Sequence, residues 1–330
     1  MPKLKVVLLY GGRSTEYEVS VLSAESVFAA LDRGKFFVEK IRIGKDGKWE
    51  RELKSDEKNL VVFPVLHGPM GEDGTVQGLL ELLNLPYVGC GVLASALGMD
   101  KEKQKELFQR HRLPVVKFMA IHKSEWLADR EEVLLRIEKS FKGRPLLFTK
   151  PANAGSSVGV TKIRGIREIR KGIQVAFKYD TKILVEEGLE NIREVEVAVL
   201  GNGKPAVSGC GEIKPGKDFY DYDAKYNSSK TELLVPAKLK KTTAAKIQKL
   251  ARKAFQIIDG TGLARADFFI SADGSKIWLN ELNTLPGFTK VSMYPRLWEA
   301  SGLSYSALLS QLIELALIRW SEKQKINMLK

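Results

Sequence analysis

Cysteine and histidine are scarce in this chain, two and three in 330 residues. Cys90 and Cys210 stand far apart and match no metal spacing, which is the usage of a reducing compartment, so a cytoplasmic setting is expected. His67, His111 and His122 are too few and too scattered for a metal cluster. No apolar run approaches the roughly 20 residues of a membrane helix, and no membrane partner is expected. The first apolar run, Val6 to Tyr10, is too short for the core of a signal peptide and has no small-residue cleavage pattern after it. Nor does any block of basic residues interleave with aromatics. The formal charge of +13 is spread over helices such as Lys238 to Lys253. There the lysines alternate with an apolar stripe of Ile247, Leu250, Ala251, Ala254, Ile257 and Ile258. That pattern reads as a solvated lysine-rich surface, so no nucleic acid is expected as a partner.

What is present is a globular composition, 44% hydrophobic and 28% charged, at a length suited to two or three domains. Residues 4–10 form a buried strand. Gly11-Gly12 follows, then Thr15-x-x-Glu18, a capping-box pattern opening a helix with Ala24, Val27, Phe28 and Leu31 that Gly34 ends. A strand, two glycines and a helix start can hold an anion on backbone N–H groups, or can be a turn with steric reasons only. Strands at 36–43 and 60–66, a turn-dense loop from His67 to Thr75, a helix with Val76, Leu79, Leu80 and Leu83, and a short strand at Pro86–Gly89 complete an α/β unit. It spans residues 1–97 with parallel strands.

A second unit, 98–185, holds a helix to about His111, a strand from Pro114 to Ile121, a helix with Val133, Leu134, Ile137 and Phe141, and a strand from Pro145 to Lys150. The loop Pro151-Ala152-Asn153-Ala154-Gly155-Ser156-Ser157-Val158-Gly159 leads into another strand. Its small residues admit phosphate oxygens to backbone N–H groups and hydroxyls, with Lys150 as a point charge at the mouth. An ordinary hairpin turn fits the same letters, and Walker spacing is absent. The third unit, 186–330, has an alternating strand through Glu194–Val199, a strand around Pro205–Ile213, and a long polar loop from Lys214 to Leu233. Three tyrosines and a phenylalanine at Phe219–Tyr226 mark that loop as a lid rather than a disordered segment.

Near the C-terminus, Arg265 to Ile270 and Lys276 to Asn283 flank an Asp273-Gly274 turn signal and form a β-hairpin. Strand alternation puts Arg265 and Asp267 on one face and Glu281 and Asn283 on one face. If the two faces coincide, two carboxylates and an amide oxygen meet beside an arginine, a donor set for Mg²⁺ on a nucleotide phosphate. The alternative is a surface hairpin with solvated charges.

Taken in order, these motifs resemble the D-alanine–D-alanine ligases of the ATP-grasp superfamily over nearly the whole chain. The matching stretches are Gly11–Ser20; His67-Gly68-x-x-Gly71-Glu72-Asp73-Gly74-Thr75-x-Gln77-Gly78; Met99-Asp100-Lys101; Lys150-Pro151 with Gly155–Gly159; Asp221-Tyr222-x-Ala224-Lys225-Tyr226; Arg265-x-Asp267; and Glu281-x-Asn283-Thr284-x-Pro286-Gly287. The resemblance implies an α/β fold, α+β in its C-terminal part, with a three-domain ATP-grasp architecture: an N-terminal parallel-sheet domain followed by central and C-terminal ATP-grasp subdomains. It implies joining of two D-alanines through a D-alanyl phosphate, with ATP and two Mg²⁺ or Mn²⁺ as cofactors, in a cytoplasmic homodimer serving cell-wall synthesis. It assigns Asp267, Glu281 and Asn283 to the metals, and Lys101, Lys150 and Lys225 to the phosphates under the Gly155-Ser156-Ser157 loop. Glu186, Glu187 and Leu189 fall on the adenine and Glu194 on the ribose. Glu16 falls on the first ammonium with His67 nearby, Arg265 and the Gly287 N–H on the oxyanion, and Ser292 and Met293 on the second carboxylate. Tyr226, Ser156 and Glu16 match a triad that locks the lid. The Tyr226 phenol favours an amine nucleophile; depsipeptide-forming relatives carry a different lid.

Overall fold

The computed structural model describes residues 2–214 and 232–326. Among the described residues there are three sheets. In the first, β1 (Leu4–Gly11) lies between β2 (Phe36–Ile43) and β3 (Leu60–Pro64), all parallel. Val6, Val7, Leu8 and Leu9 are fully buried, as a central parallel strand covered on both faces requires. Helix α1 (Tyr17–Ala30) crosses from β1 to β2, and α2 (Thr75–Leu82) follows the His67 loop.

Several local expectations are corrected here. Helix α1 starts at Tyr17 with Glu16 as its cap residue and no side-chain capping bond. The Thr15/Glu18 box does not form, because the Ser14 hydroxyl accepts the Glu16 N–H at 3.1 Å and Glu18 reaches out to Lys45 at 2.9 Å. Gly34 does not end α1. The helix stops at Ala30 with an extended Leu31, and Gly34 donates to the Asp32 side chain in a separate turn. Pro86–Gly89 supplies one parallel bridge, Val62 to Tyr87, and not a strand.

Helices α3 (Val92–Met99) and α4 (Lys101–Arg110) lead to the second sheet, whose order is β4-β7-β5-β6. Its strands are β4 (Phe118–His122), β5 (Leu146–Pro151), β6 (Thr161–Arg164) and β7 (Lys182–Glu187), all antiparallel. The strand expected from Pro114 starts only at Phe118, since the Pro114 carbonyl is taken by the Leu279 N–H at 2.7 Å. Helices α5 (Lys123–Ala128), α6 (Arg130–Ser140) and α7 (Ile169–Ala176) cover one face through Trp126, Ile137 and Ile173. The other face carries Lys150 and Glu186.

The third sheet runs β10-β9-β8-β11-β12, built from β8 (Ile192–Leu200), β9 (Ala206–Lys214), β10 (Glu232–Leu234), β11 (Leu263–Ser271) and β12 (Ile277–Asn283). Helix α8 (Lys241–Ile257) packs Ile247, Ala251 and Ala254 onto Val195, Val197, Ala266 and Phe268. The apolar stripe read from the sequence is this face. On the opposite face, α9 (Met293–Ala300) and α10 (Tyr305–Gln324) bring Tyr294, Leu297 and Leu308 into one core with Val6, Leu8 and Phe63 of the first sheet. Phe288 sits at that junction, edge-on to Phe63 with ring centroids 5.7 Å apart. Among the described residues no single helix is long and apolar enough to cross a membrane.

Candidate active site

Between the second and third sheets, and closed at one end by the first, lies a cleft of about 1390 Å³. Every candidate residue within the described part of the chain lines it, from Glu16 and His67 to Ser292 and Met293. Tyr226 and Lys225 lie outside the described residues.

The hairpin forms one wall. β11 and β12 pair with Asp267 opposite Glu281 and Arg265 opposite Asn283, so the two faces do coincide. The alternating burial of Arg265–Ile270 follows from the pleat: Ala264, Ala266, Phe268 and Ile270 enter the core, and Arg265, Asp267 and Phe269 face the cleft. The Arg265 guanidinium grips Asp267 with two bonds, 2.7 and 2.6 Å, and lies 3.0 Å from Glu196 on β8. Burial opposes its charge, but Asp267 and Glu196 outweigh that and hold Arg265 well above its ordinary range. The Asn283 amide donates to Asp267 at 2.9 Å, which leaves its oxygen for another partner. Among the described residues no three of His, Cys, Asp and Glu are grouped for a metal. Two carboxylates and an amide oxygen are hard donors that fit Mg²⁺ if phosphate oxygens complete its shell.

Cations line the facing wall. Lys150 Nζ on β5 is 2.6 Å from Glu186 Oε2 on β7. Burial alone would raise the Glu186 carboxyl; Lys105 and Lys150 more than offset this and lower it. Lys101, at the start of α4, donates to the Ala154 carbonyl at 2.7 Å and lies 3.8 Å from Glu281. It thus ties the glycine- and serine-rich loop to the hairpin. The uncharged Ala152-Asn153-Ala154 is anchored by backbone: Lys101 N–H bonds the Ala152 carbonyl, and Asn153 donates twice to Asp180. Ser156 and Ser157 both adopt left-handed backbone, at φ 47° and 58°, a conformation of the kind that surrounding contacts must hold.

At the closed end the loop meets the first sheet. The Ser156 hydroxyl donates to Glu16. Glycines make room for this carboxylate: a Cβ on Gly155 would lie 2.5 Å from Glu16 Oε2, and one on Gly68, at φ +79°, 2.9 Å from it. His67 is buried, with Nε2 3.1 Å from the Ser23 hydroxyl and Nδ1 3.3 Å from the Leu285 carbonyl. These partners lie on α1 and beyond β12, so the ring bridges two sheets and does not merely brace its own turn. Burial, first of all, lowers its pKa. Glu72 also faces the cleft; burial, then Glu16, push its carboxyl up to about 8. At the corner expected for the second carboxylate, the Ser292 hydroxyl lies 2.7 Å from Thr289 Oγ1 and packs over the bare backbone of Gly287. Glu187 pairs with Arg144 at 2.6 Å, and Leu189 and Glu194 line the far end.

Sequence reasoning does not single out Lys105 or Glu196, and Glu72 enters it only as a letter of the His67–Gly78 motif, with no role. Their signals were there: Lys105 is one helical turn after Lys101, and Glu196 is two strand positions after Glu194.

A family description "D-ala D-ala ligase C-terminus" matches residues 107–314, and "D-ala D-ala ligase N-terminus" matches residues 5–60 and 50–90. The D-alanine--D-alanine ligase of Natranaerobius thermophilus is 44% identical, over 98% of this chain and 98% of its own. That of Bacillus velezensis is 46% identical, over 97% and 99%. Among solved structures, the D-alanine-D-alanine ligase of Coxiella burnetii superposes with a TM-score of 0.87 at 35% identity, covering 98% of this chain and 97% of that one. The VanG D-Ala:D-Ser ligase of Enterococcus faecalis gives 0.83 at 34% identity, over 96% and 100%.

Proposed function

The chain belongs to the D-alanine–D-alanine ligase family, and from that premise we propose how its cleft joins two D-alanines at the expense of ATP, making D-alanyl-D-alanine, ADP and phosphate for peptidoglycan synthesis. The observation that carries the reading is the single cleft that has Lys101 and Lys150 on one wall, Asp267, Glu281 and Asn283 on the other, and Glu16 with Arg265 at its closed end.

ATP lies between the second and third sheets, with adenine against Glu186, Glu187 and Leu189 and ribose at Glu194. Lys101, Lys150 and the Gly155-Ser156-Ser157 backbone receive the phosphates, joined by Lys225 from outside the described residues. Asp267, Glu281 and Asn283 would hold two Mg²⁺ or Mn²⁺ ions, and such ions neutralise charge on a transferring phosphoryl group. Glu16 holds the ammonium of the first D-alanine beside His67. The carboxylate of that D-alanine attacks the γ-phosphorus, the bond to the ADP oxygen breaks, and D-alanyl phosphate forms. Closure of the Ser156 loop onto Glu16, completed by Tyr226, keeps water from that mixed anhydride. Ser292 and Met293 seat the second carboxylate. The second ammonium gives up one proton before its nitrogen attacks the acyl carbon, and a second proton passes to the departing phosphate as the amide forms. Arg265 and the Gly287 N–H hold the oxyanion, and phosphate leaves as the C–N bond stays.

Residues 1–97 act as the domain for the first substrate, 98–185 as the phosphate-loop domain, and 186–330 as the lid and metal domain. The working assembly is a cytoplasmic homodimer. Release of ADP with D-alanine and Mg²⁺, compared with L-alanine, tests the activity: equal rates, or none, overturn it. Mass analysis of products with D-alanine, D-lactate and D-serine competing at neutral pH tests the second substrate, and D-alanyl-D-alanine is expected to dominate. Glu281→Gln is expected to abolish ligation with the fold retained; full activity would refute the metal assignment.

A further inference from the structure

One buried charge has no part in that scheme. Lys105 is wholly inside the protein, with no side-chain exposure. It sits on α4 one turn after Lys101, beneath the cleft wall and not in it. An interior ammonium is costly unless it is paired and hydrogen-bonded. Lys105 has two partners: Glu186 Oε1 at 3.3 Å and the Asn280 carbonyl at 3.0 Å. The other Glu186 oxygen is the one that Lys150 touches at 2.6 Å. A chain of charge thus runs from α4 through β7 to the lysine on β5.

The Asn280 contact belongs to a second arrangement. β12 is the edge strand of the third sheet, so its outward backbone groups need partners from elsewhere. Pro114 supplies one, taking the Leu279 N–H, and helix α4 supplies those on either side of Glu281. Gln104 accepts the Leu282 N–H at 3.0 Å and donates to the Leu282 carbonyl at 3.0 Å, while Lys105 takes the Asn280 carbonyl. The residue between these two is Glu281. The same helix turn therefore fixes the backbone on both sides of Glu281 and, through Glu186, the ammonium of Lys150.

We propose that Lys105 is a positioning residue for the nucleotide, one that sets Lys150 through Glu186 and Glu281 through the Asn280 carbonyl. The proposal rests on the ATP reading of the cleft. Without Lys105, the Glu186 carboxylate has Lys150 as its remaining cation and draws that ammonium away from the phosphates, and the Asn280 carbonyl is buried without a donor.

Lys105→Met is expected to raise the KM for ATP at least tenfold while the KM for D-alanine stays within twofold. Lys105→Gln, which keeps a donor for Asn280 but not the charge, is expected to give an intermediate KM for ATP. In a Glu186→Gln background the Lys105→Met change is expected to add less than threefold, because its route to Lys150 is already cut. Direct titration with Mg-ATP separates the two levels of the argument. If the unaltered enzyme binds no ATP, the reading of the cleft fails. If it binds ATP and both Lys105 variants bind within twofold of it, this proposal alone fails. Equal fold-losses in the two backgrounds, or loss of the fold in both Lys105 variants, overturn it as well, since either makes Lys105 a stability residue only.

Discussion

Arg265 and Glu72 show how much chemistry depends on single side chains here. The two-pronged grip of Arg265 on Asp267 is a geometry that a guanidinium can make and an ammonium cannot. Arg265→Lys keeps the charge and loses the fork. If Arg265 steadies the oxyanion, kcat should fall about 10²-fold, in line with the ~3 kcal/mol of one such donor, with the KM for ATP little changed. Steady-state kinetics with both substrates varied decides this, and an unchanged kcat rules the role out. Glu72 yields a pH prediction. Its folded carboxyl is raised from 4.5 to about 8 by burial and Glu16, so the folded state keeps a proton that the unfolded chain has released. Its contribution to stability is present below the ordinary glutamate value and is lost as pH rises toward 8. Urea melts from pH 4 to 9 should show the unaltered protein losing stability relative to Glu72→Gln over that window, and a constant gap between the two would contradict the shift.

The hairpin was readable because its signals are local. An Asp-Gly turn sets Gly274 at φ +72°, and period-two alternation assigns the two faces. Pairing Asp267 with Glu281 needed the register, including a bulge after Asp267 that no residue letter announces. The misread helix ends share a cause: Ser14, Asp32 and Glu18 had partners from neighbouring turns that outcompeted the expected caps. The loop around Gly155 shows a similar dependence on its neighbours. The letters single out Gly155 as a small residue that could admit phosphate; only the fold shows Glu16 2.5 Å from where its Cβ would be. Gly155→Ala should therefore slow ligation at least tenfold by pushing Ser156 off Glu16. The melting temperature should stay nearly unchanged, because the substitution disturbs a loop and not a core. A variant with normal turnover would show that the contact is incidental to closure.

At the scale of the molecule, the first and third sheets share one hydrophobic core, and the second meets them across the cleft through polar groups. Phe288, wholly buried between Phe63 and Tyr294, joins the two sheets just after the Gly287 turn. Truncation to Ala should cost about 3–5 kcal/mol, read as a lower denaturant midpoint. If Ser292 and Met293 seat the second D-alanine, as proposed, the KM for it should rise along with the loss of stability. A stability change under 1 kcal/mol on the scale of such truncations would argue against a shared core. By itself, the sequence determined the kinds of element, the apolar faces and the family, since periodicity, turn letters and ordered motifs are properties of short stretches. It also supplied the chemistry-bearing residues, because oxygen donors and ammonium groups are written in residue types. Only the tertiary structure decided that these residues share one cleft, that the Thr15/Glu18 cap is not made, and that a lysine with no exposed surface ties Lys150 to the edge of the hairpin. The shared cleft and the Lys105 contacts depend on partners dozens to hundreds of residues apart, and even the unmade cap depends on Lys45, 27 residues from Glu18; such contacts are set by how sheets and helices pack.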